Sequence, residues 1–168
     1  MRRSFRRLML VSTATALLAF PAAAQSPASP PASAAVGQKD YRPGLADLML
    51  QYVQPRHAKL GLAGREGNWG LAAFSVKELK HAMEAAGAQV PKWRELLILD
   101  MTQAVIAGPV EALDKAIKAK DAGAFERGYQ QLTAGCNACH AAANLGFIAI
   151  KVPDQSGFPN QEFAPPKR

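Results

Sequence analysis

Cys136-Asn137-Ala138-Cys139-His140 is the stretch whose residue types and spacing could do chemistry. Two thiols separated by two residues can add across the two vinyl groups of one haem. The imidazole that follows is then carried close to the iron, where it can serve as an axial ligand. On a helix, Cys136 and His140 lie one turn apart on the same face, with Cys139 beside them. Three other chemistries use such a thiol pair. A thioredoxin-like redox motif expects a strand leading into it, and the residues before Cys136 have helical periodicity. A zinc site needs four ligands, and outside the pentapeptide only His57 and His81 remain as nitrogen donors. A disulfide suits an oxidising compartment, but two cysteines within one helical turn do not readily reach the required separation and dihedral. The expectation is one covalently attached haem c, held by Cys136 and Cys139, with His140 as the proximal iron ligand.

The elements that must position these residues are helical. Asp121 is a suitable N-cap for a last helix in which Phe125, Tyr129, Leu132, Cys136, Cys139 and His140 recur at helical spacing. Glu126, Arg127, Gln130, Gln131 and Asn137 take its other side, and Leu145-Gly146 should end it, with Gly146 as a left-handed cap. A first helix is expected from Pro43 to Leu62, with Leu45, Leu48, Met49, Tyr52, Val53 and Leu60 on its apolar side and a kink at Pro55. Gly61, Gly64, Gly67 and Gly70 then read as a loop around Asn68-Trp69. A second helix over 71–86 carries Ala72, Val76, Leu79, Met83 and Ala86 as its buried stripe and stops at Gly87. Residues 93–120 are helical in content, divided or bent at Gly108-Pro109, with Val110, Leu113 and Ile117 inward and Lys118 and Lys120 suited to a helix C-terminus. Only 147–152 hints at a strand. The expected fold is all-α, an antiparallel four-helix bundle whose C-terminal helix attaches the haem.

Length and composition agree with one domain: 168 residues, 49% of them hydrophobic, are enough to fill a core. The formal charge of +7 points less to nucleic acid than it suggests, because Arg2, Arg3, Arg6 and Arg7 contribute four of the positives and no acid lies before residue 25. Without them the charge is only +3. Those arginines head an apolar run, Leu8 to Phe20, that falls short of the ~20 residues a membrane span requires. Pro21-Ala22-Ala23-Ala24 follows with the small residues a signal peptidase reads. The domain plan is thus a cleaved signal peptide over 1–24, an Ala/Ser/Pro-rich linker over 25–38, a helical domain over 39–150 and a Pro-rich tail over 151–168. Periplasmic location is expected, with no membrane span once the signal is removed. Arg2-Arg3-Ser4-Phe5 is faintly twin-arginine-like, but attachment of haem to an unfolded exported chain suits the general secretory route.

Small cytochromes c carry this motif near the N-terminus and take a methionine ligand from downstream. Here the motif lies at 136–140, and the last methionine is Met101. A C-terminal motif on the last helix of an exported helical domain resembles the class II c-type cytochromes, cytochrome c prime and its low-spin relatives. Arg56-His57-Ala58-Lys59-Leu60, with Asn68-Trp69 following, is also similar to a group of small proteobacterial periplasmic cytochrome-like proteins. The resemblance covers residues 41–150. It implies a four-helix bundle with haem near one end and the distal side facing the first helix. One position departs: cytochrome c prime usually has a basic residue four after the histidine, where this chain has Asn144.

Two residues of the first helix are candidate distal ligands. Met49 lies at the centre of the apolar face and its thioether could coordinate iron; a core methionine is the ordinary alternative. His57 falls about 80° round a regular helix from Met49, at the edge of that face. It could coordinate, bond a haem propionate, or serve as a rim residue. His81 is expected in solvent. Trp69 and Trp93 are expected to cap the core, with packing against the haem as the alternative. Lys59, Lys77 and Lys80 suit a solvated surface, or one that meets propionates or an acidic redox partner. Phe147, Ile148 and Ile150 are placed to fold the tail against the haem edge. No acid/base pair or nucleophile arrangement argues for an enzyme. The expected function is periplasmic electron transfer with a redox partner and no nucleic acid, and a homodimer is compatible with it. The alternative is a five-coordinate haem that binds nitric oxide or carbon monoxide, and behind it a haem-free zinc or thiol protein.

Overall fold

A computed structural model describes residues 41–167. The expected signal peptide, the linker and the first two residues of the expected domain lie outside the described residues. Four long helices dominate the rest. The first, α1, runs without a break through Leu45–Leu48, Met49–Val53 and Gln54–Arg65. Helix α2 spans Trp69–Gln89, α3 Ile98–Ala119 and α4 Ala122–Ala142. Two short strands, β1 (Lys92–Trp93) and β2 (Leu96–Leu97), pair antiparallel between α2 and α3. The described residues are all-α apart from this hairpin.

Helix α1 opens where Asp47 Oδ2 accepts the Gly44 N–H at 3.0 Å. Its segment Met49–Val53 is π-helical, with the Gln54 N–H bonded to the Met49 carbonyl five residues back. Pro55 explains the position. It offers no N–H to the Gln51 carbonyl and its ring crowds that oxygen, and a wider turn just upstream relieves both. The expected kink is thus a π turn inside a continuous helix. A π turn inserts one residue, which rotates everything after it by about 100° relative to a regular helix.

Most helix ends have a visible chemical cause. Asp121 Oδ1 accepts the Ala124 N–H at 2.9 Å and Asn68 Oδ1 the Leu71 N–H at 3.2 Å, both side chains filling the N-cap position. Helices α1, α3 and α4 end in the same paired hydrogen bonds around one left-handed residue. At α1 this is Gly67, φ +68°, with Asn68 N–H bonding the Ala63 carbonyl. At α3 it is Lys120, φ +55°, and at α4 it is Asn144, φ +56°. There the Leu145 N–H reaches the His140 carbonyl at 2.7 Å. Gly146 is therefore not the cap expected of it. The cap is Asn144, the non-glycine residue that tolerates αL best.

Two other expectations change for one reason, close packing. Gly61 and Gly64 are not in a loop but inside α1, facing α4. A Cβ on Gly61 would lie 2.5 Å from the Tyr129 ring, and one on Gly64 would overlap the Phe125 ring. Gly87 does not stop α2; it lies within the helix, where a Cβ would meet the Leu99 backbone at 3.0 Å. Gly108-Pro109 leaves α3 undivided. Trp93 belongs to β1 rather than to a helix, and 147–152 forms no strand.

The core gathers Leu60, Val76, Leu79, Leu113, Phe125, Tyr129 and Leu132 from all four helices. The expected stripe of α2 is buried at every position. Tyr52 departs from expectation and is exposed, because the π turn carries it off the inner face. The tail lies over the core. Phe163 is buried in it, Arg65 donates to the Pro153 carbonyl, and Asn68 Nδ2 donates to the Ala164 carbonyl at 3.3 Å. Among the described residues no helix is long and apolar enough to cross a membrane.

Candidate functional site

The pentapeptide lies on the last two turns of α4, and its Cys136, Cys139 and His140 side chains face a cavity of about 210 Å³ that is partly open to solvent. Cys136, Cys139 and His140 form one wall. Met49, Val53 and His57 of α1 form another, Trp93 and Leu96 of the hairpin a third, and Ile148 and Ile150 close the side nearest the tail. The lining is predominantly apolar. The π turn matters here, because one inserted residue moves His57 from about 80° to about 20° from the direction of Met49. Both side chains therefore reach the same cavity.

Cys136 and Cys139 are half-buried and unbridged. Burial pushes the Cys136 thiol up to about 11 and raises Cys139 as well, so both are protonated at neutral pH. That is opposite to the depressed thiol a redox-active Cys-x-x-Cys pair requires. Among the described residues no three His, Cys, Asp or Glu side chains form a group able to hold a metal ion by themselves.

His140 is oriented by the chain that follows it. Its Nδ1 lies 2.7 Å from the Ile148 carbonyl, which can only accept, so Nδ1 carries the proton and Nε2 keeps its lone pair. The Ile148 segment is itself tied back to α4. Asn137 Oδ1 accepts the Ile150 N–H at 2.7 Å and Asn137 Nδ2 donates to the Ile150 carbonyl at 2.9 Å. The pentapeptide thus contains, in Asn137, the residue that fixes the carbonyl holding its own histidine. Of the three tail residues expected at the cavity, Ile148 and Ile150 line it and Phe147 points to solvent.

His57 is not a rim residue. It is only 4% exposed, its Nε2 lies 3.0 Å from Thr133 Oγ1, and its Nδ1 lies 3.0 Å from the Tyr129 hydroxyl. Thr133 O–H donates to the Tyr129 carbonyl at 2.9 Å, which leaves its oxygen free to accept from Nε2–H. The Tyr129 hydroxyl is also 2.7 Å from the His57 carbonyl. Burial lowers His57 to about 4. Tyr129 is raised by the same burial. Coordination through His57 would break one of these bonds, whereas the Met49 thioether has no such commitment.

Tyr129 and Thr133 were not singled out as site residues, although their spacing of seven and three before Cys136 puts them on its face. Trp93 lines the cavity, the alternative of its two expected roles, while Trp69 packs edge-on against Phe125 in the core. His81 is exposed, 3.9 Å from Glu78. Lys59 lies over the Phe158 ring at 4.7 Å and Lys80 pairs with Glu84 at 4.0 Å; neither lines the cavity. Comparison of the chain with protein-family models, with curated proteins and with solved structures returned no match.

Proposed function

We propose that this cavity holds one covalently attached haem and that the protein is a periplasmic electron carrier. The observation that carries the proposal is the convergence of three donors on an apolar cavity, with the third already in the tautomer a metal ligand needs. Cys136 and Cys139 would hold the porphyrin by thioether bonds. His140 would present Nε2, with its Nδ1–H bond to Ile148 fixing the ring and raising its basicity as a ligand. Met49, which lines the cavity from α1, would be the second protein donor. Among the described residues no side-chain cluster can hold a metal alone, which fits a metal held mainly by a porphyrin. When bound, such a group supplies one-electron exchange at its iron.

The rest of the chain's work is exclusion and support. The apolar walls would keep water from the buried face of the bound group, and the His57–Tyr129–Thr133 network ties α1 to α4 behind it. The fold that fits this reading is an antiparallel four-helix bundle. Successive helices pack on one another, α1 also meets α4, and the α1–α2 and α3–α4 connections are two or three residues long.

A visible spectrum of the periplasmically matured protein, oxidised, reduced, and reduced under carbon monoxide, tests the reading. Sharp split bands on reduction with no carbon monoxide shift are expected. Met49→Ala should then convert the protein to a form that binds carbon monoxide, with His57→Ala leaving the wild-type bands in place. A broad high-spin spectrum that shifts with carbon monoxide in the wild type would replace electron transfer with gas binding. A colourless protein would remove haem from the account.

A further inference from the structure

The lining is apolar, so an occupant's body is held by apolar contact while any charged substituent must be met at the mouth. Four cations adjoin lining residues along the chain. Arg56 pairs with Glu78 at 3.9 Å, Lys92 with Glu95 at 3.1 Å and Lys151 with Asp154 at 3.1 Å. Arg94 has no carboxylate partner among the described residues. Its guanidinium stands 4.3 Å from the Trp93 ring centroid, and its Nη1 donates to the Ala143 carbonyl at 3.5 Å, the far edge of hydrogen-bond range. Trp93 and Ala143 both line the cavity. Arg94 is thus parked on the rim with most of its five N–H donors uncommitted.

The backbone gives a second, independent observation. Arg94 is the first residue of the two-residue turn between β1 and β2, and its φ is +52°. That position favours glycine, since a side chain there is strained. A bulky, charged residue kept in a strained position beside a cavity points to a role for its side chain rather than for its backbone.

We propose that Arg94 is the anion-recognition residue of this cavity, binding a carboxylate on the periphery of the occupant. This rests on the haem reading above, in which that carboxylate is a propionate. The planar fork of a guanidinium matches a carboxylate through two parallel N–H···O bonds, which a lysine cannot reproduce. Stacking on Trp93 holds the fork in plane and ready. The contact with Ala143 at the end of α4 is then the resting position of a side chain that exchanges a long, neutral hydrogen bond for charge-assisted ones.

The test uses the full chain purified before haem attachment, titrated with zinc protoporphyrin and with its dimethyl ester, which has the same body without the carboxylates. Wild type should prefer the diacid, and Arg94→Gln should weaken diacid binding about five- to tenfold while leaving the ester unchanged. Arg94→Lys, which keeps the charge and loses the fork, should fall between. Matching far-UV circular dichroism and urea midpoints would exclude a folding effect, and Arg94→Lys carries the comparison if Arg94→Gln does not fold. Equal weakening of both porphyrins, or of neither, overturns the role of Arg94 and leaves haem binding intact. Failure of wild type to bind either porphyrin overturns the haem reading and this proposal with it.

Discussion

Lowering the pH from 7 to 4 protonates His57 in the unfolded chain well before it does so in the folded one. The ring is nearly inaccessible, and that burial, which disfavours the charged form, brings its pKa from the usual 6.5 to about 4. Folding stability therefore has its full His57 contribution above about pH 6.5. It is lost as pH falls, because the unfolded state binds a proton that the fold refuses, and the loss levels off below about 4. A gap of about 2.5 units at ~1.36 kcal/mol each gives roughly 3 kcal/mol in total, of which about 2 kcal/mol is gone by pH 5. Carboxylates also titrate in this window, so the measurement is a difference. Urea unfolding of the wild type and of His57→Gln, at half-unit steps from pH 7 to 4, should show the wild type losing roughly 3 kcal/mol more than the variant. Parallel loss in the two proteins would refute the reasoning, as would an imidazole resonance of His57 that titrates near 6.5.

Other perturbations follow from packing and caps. Gly64→Ala places a methyl on the Phe125 ring and should lower stability by about 1–3 kcal/mol. Gly108→Ala, whose methyl meets nothing within 4 Å beyond its chain neighbours, should change it by less than ~1 kcal/mol, because Pro109 disfavours a helical alanine before it; both are read from urea midpoints. Asn144→Ala should cost about 1 kcal/mol in the left-handed cap of α4, whereas Asn144→Gly should cost nothing. Asn137→Ala removes two bonds to Ile150 and should lower stability by about 1–2 kcal/mol; faster hydrogen exchange at the Ile150 amide would locate the effect.

Much of this architecture is written in short-range patterns. The stripe of α2 and the run Phe125, Tyr129, Leu132 in α4 follow a 3.6-residue period, and every one of those residues is buried. Asp121 is a cap that its own side chain dictates. What the sequence does not disclose depends on partners far along the chain. Gly61 and Gly64 look like loop residues until Tyr129 and Phe125 are seen to need their space. His57 looks like an edge residue until the π turn rotates it inward, and helical-wheel arithmetic assumes a regularity that Pro55 removes. The hairpin that carries Trp93 and Arg94 has strands of two residues each, too short to show any alternation. Asn144 stands where the resembled family has a basic residue, and its place in the αL cap of α4 gives a local reason for an asparagine there.

The central claim is a covalent bond between this chain and a haem, and mass spectrometry under denaturing conditions tests it most directly. Protein matured in a periplasm that carries the haem-attachment machinery should retain the mass of one haem after unfolding. Cys136→Ala combined with Cys139→Ala should lose it. Wild-type protein from the same source that shows the polypeptide mass alone would contradict the account.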